Sequence, residues 1–222
     1  GYGMYNNPEN PNIQEFAVRE NPETAMCLAY FKPELAKNSL IWAFKLQKPN
    51  GDIPKTHDFT FEQSTSQVNA KESDTELWQI IGTCEYIATT GDTSILTKQI
   101  PYWKSGRENV TYWMHLKNSF YWVRDSIGTG SHGLVKICKG DWNDYLSKIG
   151  ARGKGESIMN TGMACYGMEK LAAIALQRGD TSFAAELTKM VSDLRKAAKT
   201  TFDNTWFIRG YDDEGNAIGG SD

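Results

Sequence analysis

The 222-residue chain lacks an excess of charge of either sign. Its net charge is −3 and its pI is near 5.7, so neither a nucleic acid nor an acidic membrane is implied as a partner. No apolar run approaches the roughly 20 residues needed to span a bilayer, and no secretory leader opens the sequence. The four cysteines (Cys27, Cys84, Cys138, Cys165) have no close-spaced partner. That argues against a zinc or redox motif and for a reducing, cytoplasmic compartment. The Asn109-Val110-Thr111 sequon is a weak signal in the other direction. Low-complexity tracts and an interdomain linker are also missing, so the chain reads as a single unit over residues 1–222. The first residue is Gly1, which fits processing, a tag remnant or a piece of something longer. What the chain does have is aromatic surface, with seven Trp and ten Tyr. Such side chains suit sugars and bases, and they serve equally well as core.

Apolar spacing predicts mostly helices. Residues 33–47 open on Pro33 and carry Leu35, Leu40, Ile41 and Phe44 roughly on one face, until Pro49-Asn50-Gly51-Asp52 stops them. A polar loop follows. The next helix begins with Ser73 and Glu76 in capping-box spacing, carries Leu77, Ile80, Ile81, Cys84 and Ile87, and ends at Gly91. A further helix from about 155 ends in the same way at Gly179. Both ends carry the tetrapeptide Gly-Asp-Thr-Ser, at 91–94 and 179–182, where Asp N-caps a returning helix. Repeated αα-hairpins of this kind build toroids or solenoids. An aromatic helix is expected over roughly 106–126, and two short extended runs around a turn at Asp212–Gly215. The expected chain is predominantly α, with about seven helices.

Between Gly128 and Gly155 the helical pattern lapses in a long loop, and such loops are often functional. Its centre is Gly140-Asp141-Trp142-Asn143-Asp144, followed by Gly150, Gly153 and Gly155. A carboxyl beside an indole and withdrawn from water keeps its proton more readily and can donate it. The indole offers a platform for a sugar ring, and the asparagine can bond hydroxyls. The plainer reading is that Asp141 and Asn143 form Asx turns or cap a helix. A calcium loop lacks its EF-hand spacing and bidentate glutamate.

The flanks bear on that choice. His132-Gly133-Leu134, Gly140–Asp144 and Gly153–Ser157 together resemble glycoside hydrolase family 94, the cellobiose phosphorylase family. The likeness continues in residues 73–78, in the Thr90-Gly91-Asp92 joint and in residues 206–220. It implies an (α/α)6 catalytic toroid that cleaves a β-glycosidic bond with phosphate and inverts the anomeric centre. Asp144 then takes the place of the general acid, and Trp142 of a contact to the sugar whose bond is cut. Arg19 matches the start of an Arg-Asp pair that grips the non-reducing sugar. Glu23 and Thr24 stand where Gln and Asp are usual, and Tyr145 replaces a glycine. Asp74 and Glu156 are either substrate contacts or helix-start carboxylates favoured by the dipole. With anionic phosphate as nucleophile, a single acid suffices where an inverting hydrolase needs two carboxyls. The resemblance thus implies no metal or cofactor beyond phosphate, and a β-linked di- or oligosaccharide as partner. The family's phosphate-binding histidine and β-sandwich have no counterpart here. The expectation is the N-terminal part of one toroid, closed by the remainder of the ring or a homodimer partner. An inverting toroidal hydrolase and a non-catalytic carbohydrate-binding remnant are the alternatives.

Overall fold

The computed structural model describes residues 4–6, 14–58, 72–103 and 109–221. Most of the polar loop expected before Ser73, and the start of the helix expected from 106, lie outside the described residues. An antiparallel sheet of β1 (Met4–Asn6), β2 (Gln14–Ala17) and β3 (Thr56–Asp58) precedes and flanks the first helices, in that spatial order. The helices are α1 (Glu20–Leu28), α2 (Pro33–Phe44), α3 (Thr75–Thr90), α4 (Tyr112–Tyr121), α5 (Ile158–Gln177) and α6 (Thr181–Lys199). Strands β4 (Gln99–Pro101) and β5 (Asn109–Thr111) pair before α4. Strands β6 (Glu156–Ser157), β7 (Gly210–Tyr211) and β8 (Ala217–Ile218) form a third small sheet, which contains the expected hairpin around Asp212–Gly215.

Three αα-hairpins build the body. Helix α1 packs on α3 and α3 on α5, making one layer, while α2, α4 and α6 back them in turn. This is an incomplete (α/α)6 toroid. The apolar stripes meet between the layers: Leu77, Ile80 and Cys84 of α3, Met168 and Leu171 of α5, and Phe183 and Leu187 of α6 are buried. Each such side chain stabilises the fold by about 1.5–3 kcal/mol. Several aromatics join them. Phe44 meets Tyr112 edge-on at 4.6 Å, and Phe120 meets Phe183 at 5.2 Å.

Three local expectations change. The stretch read as one helix over 106–126 holds β5, then α4, whose N-cap Thr111 accepts from Met114 N–H at 3.2 Å. It ends in a wide π turn over Trp122–Ile127, closed by Gly128 N–H on the Val123 carbonyl. Val110 and Thr111 are β-branched and pair with the residues after the first hairpin joint. The two Gly-Asp-Thr-Ser joints also differ. Gly179 closes α5 in a Schellman motif, with Asp180 N–H on the Ala175 carbonyl, and Asp180 caps α6. Gly91, at φ 71°, ends α3, but Asp92 caps only a 3₁₀ turn over Thr93–Thr97. The described residues therefore hold six α-helices rather than about seven. Finally, the Ser73–Glu76 capping box does not form. Ser73 Oγ donates to the Lys136 and Ile137 carbonyls, and Glu76 accepts from Ile53 N–H at 2.8 Å. Tertiary partners displace the local pattern.

Candidate functional site

The N-terminal ends of α1, α3 and α5 lie at one end of their shared layer. Arg19 is the N-cap residue of α1, Asp74 that of α3 and Ser157 that of α5. Helix starts favour negative charge, because their backbone N–H groups point outward. The loop 138–155 lies across these ends. It is tied to α3 by the pairing of Cys138 with Glu72 and by Ser73 N–H on the Gly140 carbonyl. Cys138 itself is held at φ 53°, a conformation that costs a side-chain-bearing residue energy. The glycine fence has a steric reason, since a Cβ on Gly150 would lie 2.5 Å from the Cys138 carbonyl oxygen.

Within the loop, Asp141 is fully buried. It accepts from Arg209 Nη2 at 2.7 and 2.5 Å, from Ser157 Oγ at 2.6 Å and from Asn143 N–H at 3.0 Å. Its carboxylate is consumed in fixing the loop. Asn143 Oδ1 accepts from Tyr145 N–H, which leaves the amide N–H pair as what it offers a ligand. Trp142 and Tyr145 are exposed, at 55% and 96%, unlike the aromatics packed in the core between the helices.

Arg19 joins the parts. Its Nη1 lies 3.3–3.4 Å from both Asp74 oxygens and donates to the Asp141 carbonyl at 3.2 Å. Its Nη2 donates to Asp144 Oδ1 at 2.9 Å and reaches the Trp142 carbonyl at 3.5 Å. Asp144 is half-exposed, and Lys55 Nζ stands 3.8 Å from it while binding Glu72 at 2.8 Å. Asp74 is buried. Burial, opposed by Arg19 and by the Trp78 indole N–H at 3.0 Å, pushes its carboxyl up to about 6. Burial opposes charge on Arg19 too, but Asp74 and Asp144 together hold its guanidinium above the ordinary arginine range. Trp78, one turn beyond Asp74 on α3, and Met26, two turns beyond Arg19 on α1, help line an apolar cleft of about 470 Å³ with Tyr30, Ile81, Met163 and Tyr166. Trp78 links that cleft to the polar cluster through its hydrogen bond to Asp74.

Of the residues singled out in the sequence, Arg19, Asp74, Trp142, Asn143 and Asp144 thus come together. Glu156 is directed elsewhere. Its buried carboxylate accepts from the backbone N–H groups of His132 and Leu134 and meets His132 Nδ1 at 2.6 Å, and that ring stacks on Tyr211 at 3.5 Å. Sequence reasoning missed Arg209, Ser157, Lys55 and Glu72. Arg209 lies in a stretch that carried the family likeness, but nothing local ties it to a carboxylate 68 residues away.

Paired helices carrying an acidic, indole-bearing loop across the starts of one layer define a chain of the α/α-toroid class. More particularly, residues 13–222 match the description "Glycosyl hydrolase 94 superfamily, catalytic domain", and the chain belongs to that family. It is 29% identical to a 3-O-beta-D-glucopyranosyl-beta-D-glucuronide phosphorylase of Paenibacillus borealis, over 91% of this chain and 26% of that one. It is 30% identical to an N,N'-diacetylchitobiose phosphorylase of Vibrio proteolyticus, over 90% and 27%. The chain spans about a quarter of the length of the curated relatives it matches. A crystal structure of a sugar epimerase from a ruminal bacterium is similar in fold, with TM-score 0.60 at 11% identity, covering 95% of this chain and 51% of that one. Among the described residues, no helix is long and apolar enough to cross a membrane.

Proposed function

We propose that the chain is the N-terminal part of one catalytic toroid that cleaves a β-linked di- or oligosaccharide with inorganic phosphate, and that Asp144 is its proton donor. The observation that carries this reading is the single guanidinium of Arg19, which gathers Asp74, the loop backbone and Asp144 at the starts of α1 and α3. In the proposed step a phosphate oxygen bonds to the anomeric carbon from the face opposite the leaving sugar, while the glycosidic C–O bond breaks. The departing oxygen takes the proton of Asp144, which is then restored from solvent. The products are a sugar 1-phosphate of inverted configuration and a free sugar. Phosphate arrives as an anion, so no second carboxyl is needed to activate it.

Trp142 forms the platform for the sugar ring, Arg19 and Asn143 supply polar contacts to its hydroxyls, and the buried Asp74 holds Arg19 in place. Asp141 holds the loop, and Glu156 holds the His132–Leu134 turn beneath it. The other half of the ring, with the phosphate contacts, comes from the remainder of the polypeptide or from a second copy. The four free thiols fit a reducing cytoplasm.

The assignment of Asp144 is tested by leaving-group dependence. Asp144→Asn keeps the shape and removes the proton. Phosphorolysis of a disaccharide should fall by about 10²–10⁴-fold. Cleavage of a 2,4-dinitrophenyl β-glycoside, whose leaving group needs no proton, should fall far less. Equal losses on both substrates would remove Asp144 from the acid role.

A further inference from the structure

Arg19 stands one helical turn before Glu23, whose N–H points at the Arg19 carbonyl. Residues so placed on a helix face ordinarily pair when their charges are opposite. Here they do not. The guanidinium extends instead to Asp74, to the carbonyls of Asp141 and Trp142 and to Asp144. Glu23 Oε1 is left buried without a hydrogen-bond partner, one turn from a cation already committed to others.

We propose that Glu23 is a positioning residue whose ionisation draws Arg19 away from Asp144 and the loop at 141–142, so that proton loss at Glu23 loosens the proposed acid site. A buried acceptor with no donor is tolerated as a neutral carboxyl and is costly as an anion. Burial, with the neighbouring Asp74 and Glu20 carboxylates adding to it against Arg19, pushes Glu23 up to about 7. The groups facing it are Arg19 and Glu20 from its own helix end and Asp74 from α3; Glu72, Asp144 and Lys55 surround Arg19 behind them. Neutral Glu23 leaves Arg19 on the loop. Charged Glu23 presents a competing carboxylate within one turn. The movement of Arg19 stands apart from the chemistry of the site; its consequence for turnover rests on the phosphorylase reading.

The test follows both partners in one titration. In protein labelled with ¹³C-glutamate and ¹⁵N-arginine, one glutamate carboxyl should titrate with a midpoint near 7, and the Arg19 guanidinium nitrogens should shift with the same midpoint. Arg19→Lys assigns the arginine signal. Glu23→Gln, neutral at every pH and close in shape, should abolish both transitions near 7, whereas Asp74→Asn should keep them and remove the transition near 6 that Asp74 itself imposes on Arg19. If Glu23→Gln does not fold, the co-titration in Asp74→Asn decides alone. An Arg19 signal with no transition near 7 in Asp74→Asn, or one that keeps that transition when Glu23→Gln is added, overturns the proposal. Neither outcome depends on activity, so failure here is distinct from failure of the phosphorylase reading.

Discussion

At the scale of single residues, the loop divides its labour between a structural carboxylate and an accessible one. Asp141 is buried against Arg209 and Ser157, whereas Asp144 is half-exposed and Trp142 lies open to a ligand. Removing one partner of a buried ion pair strands the other, so Arg209→Ala should destabilise the fold by roughly 3–5 kcal/mol. Urea unfolding would measure this; a variant within about 0.5 kcal/mol of wild type would mean that Asp141 does not depend on Arg209. Trp142→Ala removes exposed surface only. It should leave the melting midpoint nearly unchanged and weaken disaccharide binding about 3–10-fold, as read by calorimetry. This division was partly legible in advance. The Asx character of Asp141 and Asn143 is a short-range pattern, and so is the family likeness that singles out Asp144 and Trp142. The pairing of Asp141 with Arg209 is not short-range, because it is made only when the third small sheet closes beside α5.

At the scale of elements, helices were readable wherever apolar spacing and a stop residue agreed, as at Pro33, Gly91 and Gly179. They were misread where a neighbour competed. Ser73 and Glu76 have the spacing of a cap, yet both are taken by distant backbone, and Val110 and Thr111 join a strand pair that interrupts the expected helix. The close contact of α1 with α3 depends on Gly82, where a Cβ would lie 2.7 Å from Pro22 Cβ and 2.9 Å from its carbonyl oxygen. Gly82→Ala should therefore cost about 1–3 kcal/mol. Gly162 in α5 meets nothing within 4 Å, so Gly162→Ala should gain about 0.5–1 kcal/mol from helix propensity. Thermal melts of the two variants should move in opposite directions; a Gly82→Ala variant as stable as wild type would refute the close packing.

At the scale of the whole molecule, the site loads the helix starts with carboxyls that cost stability when charged. Glu23 and Asp74 are raised by burial to about 7 and about 6, from ordinary values of 4.5 and 3.8. The folded chain therefore keeps protons that the unfolded chain has released. Stability from these groups is full below their unfolded values and is lost as pH rises through about 6 and 7. The advantage in melting midpoint of wild type over the Glu23→Gln, Asp74→Asn double variant should shrink as pH rises from about 5.5 to 7.5. Taking the difference removes the contribution of His115, which burial lowers to about 4 and which acts in the opposite direction at acid pH.

The half-ring arrangement and the site at its head meet in one measurement on the complete polypeptide encoded by this reading frame. A panel of β-linked disaccharides is incubated with and without inorganic phosphate, and sugar 1-phosphate is followed by ³¹P NMR. The expected result is cleavage that requires phosphate and yields an inverted sugar 1-phosphate, reduced about 10²–10⁴-fold in Asp144→Asn. Cleavage that proceeds equally well without phosphate, releasing only free sugars, would contradict it.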